Sequence, residues 1–215
     1  MNVKKILKII GIIVLILVIL VLIHTIRNFI IISKLQNNIS KYKGSTNYNV
    51  KSITTEENGT IAILNYYKKD NNQVLFLERK QNEETTKVSM YGYGERIDTF
   101  IDDKDSKTVR LNAGSVIAVN IINQVESDNL WQTIFMSLIA NIRKAKVNNK
   151  DCYAISNLLV TNIFSKDKQI EYLEKETGLS IKTETHFRTV EREYEFDNVD
   201  DSIFIEPDIN QYAIQ

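Results

Sequence analysis

The sequence predicts an α+β protein: one long, curved antiparallel sheet with a helix across its concave face, plus an N-terminal transmembrane helix. Three observations carry this prediction. Ile9–Ile23 is an unbroken apolar run. Short strand-like stretches separated by polar turns fill most of residues 48–196. Between them, Asp128–Lys146 places Trp131, Ile134, Phe135, Leu138, Ile139 and Ile142 at the i, i+3, i+4, i+7, i+8, i+11 spacing of one helix face. An apolar stripe of this breadth needs an apolar partner, and the neighbouring strands make the face of a sheet the natural one.

The apolar run sets the organisation of the chain. With Lys8 snorkelling, Ile6–Ile26 gives 21 residues, enough to cross a hydrocarbon core of ~30 Å at ~1.5 Å per residue. A cleaved signal peptide fits less well, because His24-Thr25-Ile26-Arg27-Asn28 offers no small-x-small cleavage site. Lys4, Lys5 and Lys8 favour a cytoplasmic tail, although Arg27, Lys34, Lys41 and Lys43 follow the span closely. The expectation is a single-pass cell-membrane protein with its C-terminal domain outside the cytoplasm. Its segments are 1–32 (tail and anchor), 33–47 (juxtamembrane helix and linker) and 48–215 (domain). Four of the 27 basic residues and no carboxylate lie in 1–32, so the remainder is mildly acidic. No basic patch argues for nucleic acid. The lone Cys152 excludes an intrachain disulfide.

Taken in order, the juxtamembrane stretch keeps Ile31, Ile32, Leu35, Ile39 and Tyr42 on one face, and Lys43-Gly44-Ser45-Thr46-Asn47 ends it with turn chemistry. Strands are expected at Tyr48–Thr54, Thr60–Tyr67, Gln73–Arg79, Thr85–Tyr93, Arg96–Ile101 and Lys107–Leu111, each pair bridged by polar turn residues. Val116–Ile122 is apolar and ambiguous between strand and helix. The Asp128–Lys146 helix has Ser127 and Asp128 to cap its start. Arg143, Lys144 and Lys146 suit the negative end of its dipole. Asp151–Leu158, Gln169–Glu174, Leu179–Phe187 and Thr189–Phe196 return to strand.

The C-terminal third carries a resemblance. Cys152-Tyr153-Ala154-Ile155 is followed by Glu171–Lys182, with Lys175-Glu176-Thr177-Gly178-Leu179 at its centre, then by Glu193–Val199 and Phe204–Asp208. This resembles the closing strands of the lipoprotein-carrier (LolA-like) half-barrel family and its relatives among envelope-stress regulators, in which a strand ends in a Lys-x-Thr-Gly-Leu turn. The resemblance spans residues 31–210. It implies a half-barrel with a hydrophobic concavity that holds acyl chains, or a sensor built on that shape. The chain departs from the carriers in its transmembrane anchor, since a tethered protein does not diffuse freely between membranes.

Catalytic and metal signatures are sparse. His24 and His186 belong to no metal-ligand spacing. A calcium loop started at Asp103 would meet Lys107, Thr108 and Gly114 where it needs an acceptor, Gly and Glu, so Asp102–Asp105 reads as a solvated turn. Asp197, Asp200 and Asp201 read as a turn or helix cap. Tyr91-Gly92-Tyr93-Gly94 lacks the spacing of a nucleotide loop and reads as a strand end. Cys152 reads as a buried strand residue. The expectation is therefore a binding or sensing domain and no enzyme, with no cofactor and no metal. Trp131, Phe135, Leu138 and Ile142 would line or gate the face that takes a lipid, lipidated peptide or apolar segment. Expected partners are the membrane, such a lipid or lipidated peptide, and an envelope protein, with no nucleic acid. The alternative is a structural or interaction module whose half-barrel is filled by its own side chains.

Overall fold

The computed structural model describes residues 3–82, 84–112, 129–156 and 169–215. The fold class matches the sequence expectation: a large, curved, mostly antiparallel sheet with a helix packed on it, and an apolar N-terminal helix. Two compact units divide the chain, Met1–Lys41 with Gln124–Gly178, and Tyr42–Asn123 with Leu179–Gln215. This division cuts across the segments 1–32, 33–47 and 48–215, because the N-terminal helix shares a core with residues far along the chain.

In the first unit, α1 (Val3–Ile39) runs without a break through the apolar stretch and the juxtamembrane stretch. Its apolar first half is almost wholly exposed, whereas Asn28, Ile32, Leu35 and Ile39 form a buried stripe at helical spacing. That stripe meets α2 (Leu130–Ile139) and the antiparallel strands β7 (Asn141–Val147), β8 (Lys150–Ser156) and β9 (Ile170–Glu174). Ile32 and Leu35 of α1, Met136 and Ala140 at α2, and Ile142, Ile155 and Leu173 of the strands make one core.

The helix expected over Asp128–Lys146 is thus shorter than its periodicity suggests. It ends at Ile139, and Asn141–Val147 is a strand, so Arg143, Lys144 and Lys146 lie on β7 rather than in a last helical turn. Strand pairing overrides helical propensity here: β7 bonds along its length to β8 across a two-residue turn. Asn148 and Asn149 hold that turn with φ +48° and +64°, the left-handed pair a tight hairpin demands. The cap is Asn129, whose side chain accepts from the Trp131 amide at 2.9 Å. Ser127, Asp128 and the ambiguous Val116–Ile122 lie outside the described residues.

The second unit holds β1 (Asn47–Glu56), β2 (Ile61–Lys69), β3 (Asn72–Gln81), β4 (Glu84–Tyr93), β5 (Arg96–Asp102), β6 (Lys107–Arg110), β10 (Ser180–Glu184), β11 (Arg188–Phe196) and β12 (Ala213–Ile214). Their order is β12-β6-β5-β4-β3-β2-β1-β11-β10, antiparallel except where β12 joins β6 in parallel. The strands expected here appear with ends moved by only a few residues. His186 lies in the turn between β10 and β11 rather than within a strand. Tyr48, Val50, Tyr66 and Ile97 fill one core cluster. Val74, Tyr91, Phe100, Val109, Val199 and Phe204 fill another, with aromatic rings edge to face along Phe76, Tyr91 and Phe100. Burial, with the neighbouring Tyr93, Tyr212 and Glu206, pushes the Tyr91 phenol up to about 12.

Gly178 explains the Thr-Gly-Leu turn after β9. Its φ is +76°, and a Cβ built there would stand 2.5 Å from the Leu35 carbonyl oxygen and 3.1 Å from the Ile39 amide nitrogen, so α1 presses directly on this backbone. Gly59, at φ +83°, has nothing within 4 Å. Gly59→Ala should therefore cost only the backbone strain, about 1–2 kcal/mol. Gly178→Ala adds a steric clash and should cost roughly 3–5 kcal/mol. Thermal melts of the two variants in the same detergent check this; equal losses would mean that α1 does not pack on the turn.

Candidate functional site

The sequence-derived site does not assemble as one surface. Ile142 is buried at 3% exposure inside the core of the first unit, on β7. Trp131, Phe135 and Leu138 point the other way, at 76%, 44% and 45% exposure. Leu130 is exposed beside them, and Ile134 and Ile139 are half-buried. Of the ten helical residues, those buried are Thr133, Met136 and Ser137. On a 100° wheel these three occupy one arc, and Leu130, Trp131, Phe135 and Leu138 sweep the other side. The expectation that the Trp131–Ile142 stripe packs on the sheet is thereby corrected: α2 is turned with its apolar side outward.

The chemistry of the α1–α2 contact accounts for this. Asn28 of α1 is fully buried, and its Nδ2 donates to the Ser137 and Ala140 carbonyl oxygens at 3.0 and 2.7 Å. These are carbonyls that the end of a helix leaves without intrahelical partners. His24 Nε2 lies 3.0 Å from the same nitrogen. Further along, Gln36 Nε2 meets Thr133 Oγ1 at 3.2 Å, and Ser137 Oγ donates to the Thr133 carbonyl at 2.6 Å. Thr133, Ser137 and Ala140 are small, which lets the helices approach closely, and their polar groups find partners there. Placing the large stripe inward would instead set the buried Asn28 amide against apolar side chains, at ~1–3 kcal/mol for each buried group left unsatisfied.

Basic residues flank the helix. Arg27 Nη2 donates to the Ile142 carbonyl at 3.1 Å, tying the start of β7 to α1. Arg143 and Lys144 follow on β7, both exposed, and among the described residues neither has an ion-pair partner. Sequence reasoning missed this arrangement. The signal available was Val147-Asn148-Asn149-Lys150, whose paired asparagines mark a tight hairpin and hence a strand before it.

Elsewhere the geometry is that of ordinary turns and caps. Asp102 pairs with Lys107 at 3.0 Å across the β5–β6 turn, and the Asp103 amide donates to the Ser106 carbonyl. Asp200 caps the short 3-10 turn Asp201–Phe204. Asp98 is wholly buried, held by Arg96 and by the Asn112 amide at 2.9 Å. Cys152 is buried on β8, and burial pushes its thiol above the usual range. A surface groove of about 580 Å³ is lined by Glu56, Glu57, Asn58, Phe187 and Arg188, in the second unit and away from α2. Among the described residues no group of three His, Cys, Asp or Glu side chains is placed to hold a metal.

No protein-family model matches the chain, and no curated protein matches it. Among the solved structures that align along most of its length are two at 10% identity. A LolA superfamily protein from Nitrosomonas europaea is covered over 97% by 81% of this chain, with a TM-score of 0.23. A putative outer membrane lipoprotein-sorting protein domain from Vibrio parahaemolyticus is covered over 95% by 80% of it, with a TM-score of 0.29. TM-scores this low leave the reading of the fold to the chain's own strands and helices.

The orientation of α2 makes a direct prediction for stability. Met136→Asp buries a carboxylate in the core and should cost several kcal/mol, roughly 3–5. Phe135→Asp, one residue earlier on the outward side, should change stability by about 1 kcal/mol or less. Denaturant unfolding of the two variants separates the orientations, and the opposite ranking would mean that the stripe faces inward after all.

Proposed function

We propose that the protein is a membrane-tethered, extracytoplasmic binding or sensing module. Its site is the outward face of α2, where Trp131, Phe135 and Leu138 take a lipid, a lipidated peptide or an apolar protein segment. The observation that carries this reading is the inverted helix. A short helix that turns Trp131, Phe135 and Leu138 outward while burying Thr133, Met136 and Ser137 is built to receive something apolar. The exposed apolar half of α1 supports the tether, being one helix long and apolar enough to cross a membrane. The basic residues Lys4, Lys5 and Lys8 support a cytoplasmic N-terminus. Binding is the activity proposed, and no catalytic role is assigned.

A second reading has its own observation. In the second unit, Tyr48, Val50, Tyr66 and Ile97, and separately Val74, Tyr91, Phe100, Val109, Val199 and Phe204, fill the interior with the chain's own side chains. That favours a structural or interaction module with no ligand in the sheet.

Two measurements decide. Full-length protein should remain with membranes through alkaline carbonate washing, and release into the wash would remove the tether. In detergent, a photoactivatable palmitate should crosslink saturably to peptides covering Leu130–Ile139, and unlabelled palmitate should compete. Leu138→Asp should weaken that labelling by roughly tenfold, the effect of losing one well-buried apolar contact. Unsaturable labelling spread over the chain would leave the self-filled module as the better reading.

A further inference from the structure

We infer that the occupant of the outward face of α2 is the anionic surface of the bilayer in which α1 is anchored, so that α2 is an interfacial helix docked by its apolar stripe and held by Arg143 and Lys144. The inference rests on the preceding reading of α1 as a span and of α2 as the site. It names the lipid as that of the host leaflet.

The hydrogen bonds of the first unit fix the heights. The last turn of α2 is bonded to Asn28 through Ser137 and Ala140, and its first turn meets Gln36 through Thr133. α2 therefore runs antiparallel to α1, with Leu138 and Ile139 at its membrane-proximal end. Asn28 is two residues beyond Ile26, only ~3 Å along the helix axis. The headgroup layer adds about 5–7 Å on each side of the hydrocarbon, so Leu138 and Ile139 fall within it. Trp131 and Phe135 stand higher, toward Gln36. A tilt of α1 toward α2 close to the ~40° upper limit of spanning helices is what brings them down toward the same layer. Trp is also the residue most at home at that depth.

Charge completes the pattern. β7 starts at the level of Arg27, through the bond to the Ile142 carbonyl. It climbs toward Asn38, whose Nδ2 donates to the carbonyl of Lys175; the Lys175 amide in turn donates to the carbonyl of Asp151, which pairs with Lys146. Arg143 and Lys144 are therefore the cations of β7 nearest the membrane, and their long stems reach headgroup phosphates. The apolar stripe of α2 is thus followed by two cations on β7, one on each face of the strand, at the height of the headgroups.

Trp131 is the single tryptophan of the chain, so its fluorescence reports this contact alone. The full chain should be reconstituted into vesicles of phosphatidylcholine, with or without phosphatidylglycerol, in which part of the phosphatidylcholine is brominated near the top of its acyl chains. With the anionic lipid present, Trp131 emission should be blue-shifted, quenched by the brominated lipid and shielded from aqueous acrylamide. Replacing Arg143 and Lys144 by Gln should lower the ratio of docked to undocked protein by roughly fivefold per charge, and added salt should do the same. Trp131 open to acrylamide and indifferent to brominated lipid would overturn the inference. So would shielding that appears only at high protein-to-lipid ratio, which would make a second copy of the chain the occupant. Saturable palmitate labelling with an indifferent Trp131 would leave the binding module standing and remove only the docking. Loss of the protein from carbonate-washed membranes would remove both.

Discussion

One buried amide organises the first unit. Asn28 sits in the middle of a long apolar helix, at a position where an aliphatic residue would extend the stripe of Ile32, Leu35 and Ile39. Its Nδ2 instead supplies protons to the two carbonyls at which α2 stops, and this stop lets the chain turn straight into β7. Among the described residues its buried Oδ1 has no partner, a cost of ~1–3 kcal/mol accepted at a junction where the other half of the group is fully used. The end of α2 and the turn into β7 meet at this one side chain, 109 residues before Ser137 in sequence.

The strand meander was legible in the sequence because its turns are marked by Asn, Asp and Gly and its strands by β-branched and aromatic residues. The structure uses those marks directly, with left-handed Asp70 between β2 and β3 and Gly59 between β1 and β2. The apolar helix was legible for the same kind of reason, since length and composition alone determine it. The orientation of α2 was not legible. Periodicity locates an apolar stripe but does not say whether it faces the core or the outside, and in a soluble domain the core is the usual answer. The deciding information was the polar seam between α1 and α2, which depends on pairs such as Gln36–Thr133 that are 97 residues apart. The end of α2 was hidden as well, because Asn-Ile-Arg-Lys-Ala-Lys-Val contains helix formers whose strand conformation comes from pairing with β8.

The two units use apolar surface in opposite ways. The second unit turns its aromatics inward, where Tyr91 and Phe100 stack edge to face beneath Phe204 and Val199. The first unit keeps a modest core and sets its largest aromatic, Trp131, outside. The proposed site for an apolar partner therefore lies on α2, and the second unit has the better-filled interior.

The unbroken course of α1 has a mechanical consequence. Thirty-seven residues of continuous helix make a rod of ~55 Å, without a glycine-rich joint between its apolar half and the half packed into the first unit. A flexible tether would let the attached unit swivel, and each contact with the membrane would have to overcome that rotational freedom. On the proposed reading of α1 as a span, a rod gives the unit a fixed bearing instead, so that most of the orientational entropy of docking is lost once, on insertion. A handful of side chains too few to recruit a free protein to a bilayer would then be enough to set how the molecule leans on it.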